Sequence, residues 1–203
     1  MATRYIFVRH AEAFKNKRKV VGGIGSGLTE NGKQQVKKLN DRLDELTNNK
    51  DVVLFSSPKV QARETAKIIS EHFNCNIIES SELSPSDMGV LTGLSEDEMQ
   101  IQYPEEYSIF KKWRRKEIDV TGLMPLKISD PIQFWNRIMG FIEANLNEKC
   151  NVVVCTTSIM VLISNYVSGH KPYPGGNYMH VETRNCECIA FDLEDDGSLK
   201  VVE

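Results

Sequence analysis

Residues 5–10 read Tyr5-Ile6-Phe7-Val8-Arg9-His10, four apolar side chains running straight into an arginine and a histidine. A short run rich in aromatic and β-branched residues fits a strand buried on both faces, as strands of parallel sheets are. The pattern returns in Val52-Val53-Leu54-Phe55 and in Val152-Val153-Val154-Cys155. Three such strands separated by helical segments predict an α/β fold, a three-layer sandwich with a mainly parallel central sheet and helices on both faces. Arg9 and His10 then fall at the carboxyl end of the first strand, where open α/β sheets collect their ligands.

The helical segments carry their own punctuation. Thr29 to Leu46 opens on a threonine cap, and Lys59 to Phe73 sets Ala62, Ala66, Ile69 and Phe73 on one face. Asp130-Pro131 supplies a cap and a first helical residue for a helix reaching Leu146. Ile159 to Val167 is a buried helix, Asn74 to Ile78 a short strand, and Asp195-Asp196-Gly197 the turn of a closing hairpin between Cys188 to Leu193 and Ser198 to Val202. Lys15 to Gly27 and Ile118 to Ser129 show neither a helical nor a strand period and are predicted to be surface loops. With 203 residues, 40% of them hydrophobic, and no linker or repeat, one domain over residues 1–203 is expected, with an insertion over the sheet at about 79–130.

Twenty-five Lys and Arg against 28 Asp and Glu leave a net charge of -3, too weak a field to collect nucleic acid. The one basic cluster, Lys111 to Lys116, has Glu105, Glu106 and Glu117 beside it and reads as a solvated helix face. No run of eighteen apolar residues and no secretory leader is present, so a cytoplasmic protein with no membrane contact is expected. Five cysteines, an odd number set mostly in apolar stretches, argue against a disulfide framework; Cys186 and Cys188 lack a second ligand pair, so no metal and no cofactor are expected.

The chemistry-bearing residues form an ordered set. Arg9-His10-Ala11-Glu12 with Asn16, Leu28-Thr29 with Gly32 and Gln35, Ser56-Ser57-Pro58 with Ala62 and Thr65-Ala66, Asp87-Met88-Gly89 with Gly93-Leu94, and Thr156-Thr157-Ser158 after a strand follow one another along the chain, with Arg137 on the helix before that strand. This series resembles the motifs of the histidine phosphatase superfamily, the phosphoglycerate-mutase-like proteins. The resemblance implies a histidine that attacks a phosphoryl group, two arginines and a second histidine that hold its oxygens, a carboxylic acid that protonates the leaving oxygen, and a phosphorylated small molecule or other phosphoester as partner.

Residue by residue, the resemblance assigns Arg9 and His10 to the first arginine and the nucleophile, and Asn16 to the pocket lining. Gln61 stands at the second-arginine position, Thr157 at the second-histidine position and Pro85 at the usual glutamate position. None of the three carries charge, and phosphoryl transfer depends mostly on charge placed around the phosphoryl oxygens. Asp87 and Glu82 are the candidate replacement acids, with a turn-forming carboxylate that bonds its own backbone as the favoured reading of Asp87. Lys15, Lys17, Arg18 and Lys19 are candidates to fold over a bound anion, and Ser158 opens a helix whose N–H groups suit an anion. Arg63, two residues beyond Gln61 and roughly 200° around the helix, points away. His72 reads as structural, and His170 and His180 have two readings, a surface-loop role, which is favoured, or entry into the pocket. Two functions follow: a phosphate-binding enzyme with weak or specialised phosphohydrolase activity through a phosphohistidine, or an inactive pseudophosphatase that binds or scaffolds. A phosphoglycerate mutase proper is a weaker third reading, because it needs a fully furnished pocket.

Overall fold

Strand β1 (Thr3–Arg9) sends alternate side chains into two separate cores, Tyr5 and Phe7 to one side and Ile6 and Val8 to the other, all four fully buried. Such a strand needs helices over both faces of its sheet. The computed structural model, which describes residues 2–202, has that architecture. With β2 (Val52–Ser56), β3 (Ile77–Glu79), β4 (Cys150–Cys155), β5 (Cys188–Leu193) and β6 (Leu199–Val202), β1 forms a six-stranded sheet in the order β3-β2-β4-β1-β5-β6. The first four strands are parallel, whereas β5 runs antiparallel to β1 and turns back into β6. Register sets Arg9 opposite Cys155 and Ser56 opposite Val154, so three strand ends come level at one edge.

Around the sheet lie α1 (Phe14–Lys17, one turn), α2 (Glu30–Thr47), α3 (Val60–Phe73), α4 (Glu96–Gln102), α5 (Pro104–Arg114), α6 (Pro131–Ala144) and α7 (Thr157–Val167). Helices α2 and α3 cover the Ile6 and Val8 face with Val36, Leu39, Leu43, Ala62, Ala66 and Ile69. Helices α6 and α7 cover the opposite face, joined by Phe110 and Trp113 of α5. The expected caps are in place: the Thr29 hydroxyl accepts from the Gly32 N–H, and Asp130 accepts from the N–H groups of Ile132 and Gln133. Among the described residues no helix is long and apolar enough to cross a membrane.

Residues 118–129 depart from the expected surface loop. Val120 to Leu126 form 3-10 turns, and Val120, Leu123 and Leu126 are buried in the core shared with Tyr5 and Phe7. Their spacing of three residues is the 3-10 repeat itself, which neither an α-helical nor a strand period detects. Residues 15–27 are also more than a loose loop. They start in α1, and Val21 exchanges backbone hydrogen bonds with Leu94 (3.0 Å) and Gly93 (2.7 Å), which draws the segment over the carboxyl edge of the sheet.

Arg4 joins three elements: Nε and Nη2 each donate at 2.8 Å to the two carboxylate oxygens of Asp192 on β5, and Nη1 donates at 2.8 Å to the Leu46 carbonyl in α2. This bidentate contact holds the Asp192 carboxyl below the ordinary aspartate range. A lowered carboxyl pKa adds stability above the ordinary value of about 3.9 and loses it as pH falls through the folded-state value. Wild type should therefore exceed Asp192→Asn in urea-unfolding stability by a constant margin from pH 5 to 8, and the margin should shrink below pH 4. A margin unchanged down to pH 2.5 would show that the ion pair contributes nothing.

Candidate functional site

The segment that follows β1 is tied down group by group. The Arg9 N–H donates to the Glu187 carbonyl (2.9 Å) and the Arg9 carbonyl accepts from the Cys186 N–H (3.1 Å). The His10 N–H donates to the Cys155 carbonyl at the end of β4 (3.0 Å), and the His10 carbonyl accepts from Asn185 Nδ2 (2.9 Å). The Ala11 N–H reaches Thr65 Oγ1 (3.1 Å), whose own hydroxyl donates to the Gln61 carbonyl (2.7 Å). The Glu12 N–H reaches Gln35 Oε1 (2.9 Å), and the Glu12 carbonyl accepts from the Thr29 N–H (3.0 Å). Asn16 completes the series, its Oδ1 and N–H taking the N–H and carbonyl of Ala13 at 2.9 Å each. Gly32 is obligatory here, because a Cβ at that position would stand 2.1 Å from the Glu12 carbonyl oxygen. Five of the quoted motif residues, Asn16, Thr29, Gly32, Gln35 and Thr65, thus serve to hold residues 9–13.

The His10 ring is 2% exposed, with Nδ1 2.8 Å from the Ala11 carbonyl. A carbonyl only accepts, so Nδ1 carries the proton and Nε2 is left with its lone pair. Burial, reinforced by the charges of Arg9 and Lys15, pushes the imidazole pKa down to about 3. His10 is therefore neutral at physiological pH, the state in which Nε2 is a nucleophile. Arg9 donates from Nη1 to the Thr183 carbonyl at 2.5 Å, and its Nε is buried without a partner.

Over this edge opens a cavity of about 620 Å³. Arg9, Lys15, Asn16, Lys59, Gln61 and Thr157 line it from the ends of β1, β2 and β4, while Phe110, Trp113 and Arg114 of α5 close the other side. His10 is not part of the lining and is nearly closed off from solvent, whereas Arg9, Lys15 and Asn185, whose Nδ2 holds the His10 carbonyl, do line the cavity. Ser158 lines the cavity at the first turn of α7, whose leading N–H groups have no intrahelical acceptors, and its hydroxyl accepts from the Ser86 N–H (3.2 Å). Pro85, too, stands in the wall. Gln61 is 2% exposed and its Oε1 is buried without a partner.

Several expectations need correction. Asp87 does not reach the cavity as an acid and follows its turn-forming reading: one carboxylate oxygen accepts from the Gly89 N–H (3.0 Å) and from the Thr92 hydroxyl, so the side chain closes its own turn. Glu82 is exposed outside the cavity, and of the four basic residues near the first motif Lys15 and Lys19 line it while Lys17 and Arg18 do not. His180 follows the second of its two readings and not the favoured surface-loop one: it lines the cavity with its ring centroid 4.6 Å from that of Trp113. The reason is Asn165 of α7, whose side chain bonds the N–H and carbonyl of Met179 and draws that segment inward. Trp113 is 9% exposed and belongs to the wall and the core, so the basic cluster Lys111 to Lys116 shows solvent its charges and not its ring. As expected, Arg63 points away, out to Glu79 (3.5 Å), and His72 is structural, tying α3 to Asp44 of α2 (2.9 Å). Arg137 donates to the carbonyls of Ser81 and Ser84, bracing the turn before Pro85.

Sequence reasoning missed Lys59 and Asn185. Lys59 had a usable signal, because it follows β2 at the same sheet edge to which Arg9 and His10 were assigned. Asn185 had none, since its place depends on how β5 approaches β1. Among the described residues no group of three or more His, Cys, Asp or Glu side chains is placed to hold a metal ion.

Residues 5–202 match the family profile of the histidine phosphatase superfamily (branch 1). Phosphoserine phosphatase 1 of Hydrogenobacter thermophilus is 29% identical over 158 residues, 76% of this chain and 70% of that one. A metal-independent phosphoserine phosphatase of Arabidopsis thaliana is 33% identical over 110 residues, 53% of this chain and 45% of its own length. Among solved structures, that of a mycobacterial glucosyl-3-phosphoglycerate phosphatase with VO3 superposes with a TM-score of 0.78 at 16% identity, covering 98% of this chain and 97% of that one. At that identity the likeness is one of fold.

Two outcomes follow from the site. The His10 ring nitrogens should keep the NMR shifts of a neutral imidazole protonated at Nδ1 from pH 8 down to pH 5; titration near 6.5 would contradict its burial. Thr65→Val should cost about 1–3 kcal/mol of stability in urea unfolding, since it leaves the Ala11 N–H buried without an acceptor.

Proposed function

The chain belongs to the histidine phosphatase superfamily, and on that footing we propose that it binds a phosphoester of a small molecule at Arg9 and His10 and hydrolyses it through a phosphohistidine. The observation that carries the reading is the state of His10, held neutral with Nδ1 on the Ala11 carbonyl and Nε2 unprotonated, beside a cavity walled by cations. Relatives named as phosphatases of phosphoserine and of glucosyl-3-phosphoglycerate support a phosphorylated small molecule as substrate.

In the proposed reaction Arg9 holds phosphoryl oxygens, assisted by Asn16 and by the first-turn N–H groups of α7 at Thr157 and Ser158. His10 Nε2 forms a bond to phosphorus as the bond to the leaving oxygen breaks, and the leaving group departs with the electron pair. Water then cleaves the phosphohistidine, returning phosphate and the neutral ring. The step that lacks a residue is protonation of the leaving oxygen: Pro85 carries no proton, Asp87 is bound in its turn, and the one carboxylate in the wall, Glu96, is paired with Arg114. Phosphoesters whose leaving groups depart without protonation, such as aryl phosphates, suit this site better than alkyl ones.

The neutral residues Gln61, Thr157 and Pro85 in the wall favour a second reading, a pseudophosphatase that binds a phosphorylated ligand without turning it over. One experiment separates the two. Turnover of p-nitrophenyl phosphate, with an acid-labile phosphoenzyme, should be present in wild type and fall by at least about 100-fold in His10→Ala. Arg9→Ala should abolish oxyanion binding as measured by calorimetry. Oxyanion binding without turnover dependent on His10 would transfer the case to the binding protein, and no oxyanion binding in wild type would end both.

A further inference from the structure

The cavity holds more positive charge than its losses suggest. Besides Arg9, its wall carries Lys15, Lys19, Lys59 and Arg114, against the single carboxylate of Glu96, which Arg114 already engages. Lys15 and Lys59 are the telling pair. They come from separate segments, one after β1 and one at the start of α3, and meet under the glycine-rich loop: Lys15 Nζ donates to the Gly22 carbonyl (2.6 Å) and Lys59 Nζ to the Gly23 carbonyl (3.2 Å). Neither has a carboxylate within ion-pairing distance among the described residues. Both are half-buried. Burial, with the charges of Lys59 and Arg9 next in weight, pushes the Lys15 pKa down.

Three neighbouring cations without an anion are costly in a partly desolvated site, and an entering anion relieves that cost. Each ammonium has three donors, of which the glycine carbonyl occupies one, so two remain to each lysine. The neighbouring Gln61 is poorly suited to the same task. It is uncharged, and its Oε1 packs so closely on Gly25 that a Cβ there would stand 2.4 Å away.

We propose that Lys15 and Lys59 together grip the phosphoryl oxygens in place of the arginine missing at Gln61, reaching the anion from under the Gly22-Gly23 loop while Arg9 holds it from the end of β1. This assignment rests on the phosphoester reading above and adds two residues to it. It moves the missing charge from the first turn of α3 to its N-cap and to α1, so the cavity keeps a cationic grip although the motif position does not.

The test is calorimetric titration of the intact protein with orthovanadate, at low and high KCl, for wild type, Arg9→Ala, Lys15→Gln, Lys59→Gln, the double lysine variant and the charge-keeping pair Lys15→Arg with Lys59→Arg. Each single Lys→Gln change should weaken vanadate binding by about tenfold and the double change by more, because charge-assisted contacts to an oxyanion are lost. The double variant should also lose most of the salt dependence shown by wild type, whereas the arginine pair should keep both affinity and salt dependence. A role confined to fastening the glycine loop would leave the salt dependence intact. Adding Gln61→Arg to the double lysine variant should recover at least tenfold and should gain less in wild type. If vanadate binding is lost with Arg9→Ala but persists in the double lysine variant, the lysine assignment falls and the Arg9 site stands. If the double variant unfolds, the single variants and the arginine pair decide by the same criteria. Wild type that binds no vanadate overturns both readings.

Discussion

Ten backbone groups, the N–H and carbonyl of each residue from Arg9 to Ala13, all find hydrogen-bond partners, and the rest of the site depends on that closure. The segment leaves the sheet at its carboxyl edge and runs through protein interior, where an unpaired amide or carbonyl is costly. The partners come from β4, from the turn before β5, from α2, from α3 and from His10 and Asn16 themselves. Because they converge from so many elements, the imidazole has one orientation and one tautomer. Preorganisation of that kind lets a side chain act without reorganising at the moment of reaction.

The same closure sets the electrostatics. Holding the ring almost out of contact with water keeps it neutral, and the cations arranged in front reinforce that state instead of opposing it. An anion in the cavity would relieve the repulsion among Arg9, Lys15 and Lys59, while burial, the larger cause of the lowered pKa, still favours the neutral ring. The wall facing them carries Phe110, Trp113 and Met88 together with the Arg114–Glu96 ion pair, so among the described residues the cavity has unpaired cations on the side of the strand ends and aromatic surface with an internally paired charge on the elements between β3 and α6. Those elements owe their position to the core shared with Tyr5 and Phe7, so packing and site geometry are one problem.

Local pattern was enough for the sheet and for most helices. Runs such as Tyr5 to Val8 and Val152 to Cys155 report two-sided burial, and Thr29 and Asp130 announce helix starts through the orphan N–H groups they accept. Residues 118–129 escaped because their period of three belongs to neither regular pattern. For Asp87 turn chemistry already favoured a carboxylate bonding its own backbone, and the structure adds that Gly89 and Thr92 are the groups that occupy it. His180 and Trp113 were read by their neighbours in the chain, whereas Asn165 and the α6–α7 core decide where they face.

The amino-acid sequence by itself determined the α/β class, the placing of Arg9 and His10 at a strand's carboxyl end, the ordered motifs of the superfamily and the three uncharged replacements at Gln61, Thr157 and Pro85. Those are properties of residue type and short-range spacing, and hydrophobic periodicity with turn chemistry reports both. Only the tertiary structure decided that His10 is neutral, that Asp87 is engaged elsewhere, and that Lys15 and Lys59, 44 positions apart in the chain, share one cavity. Burial and charge proximity arise where separate elements meet, and the forces that set a pKa or gather an anion act over distances in space, not along the chain.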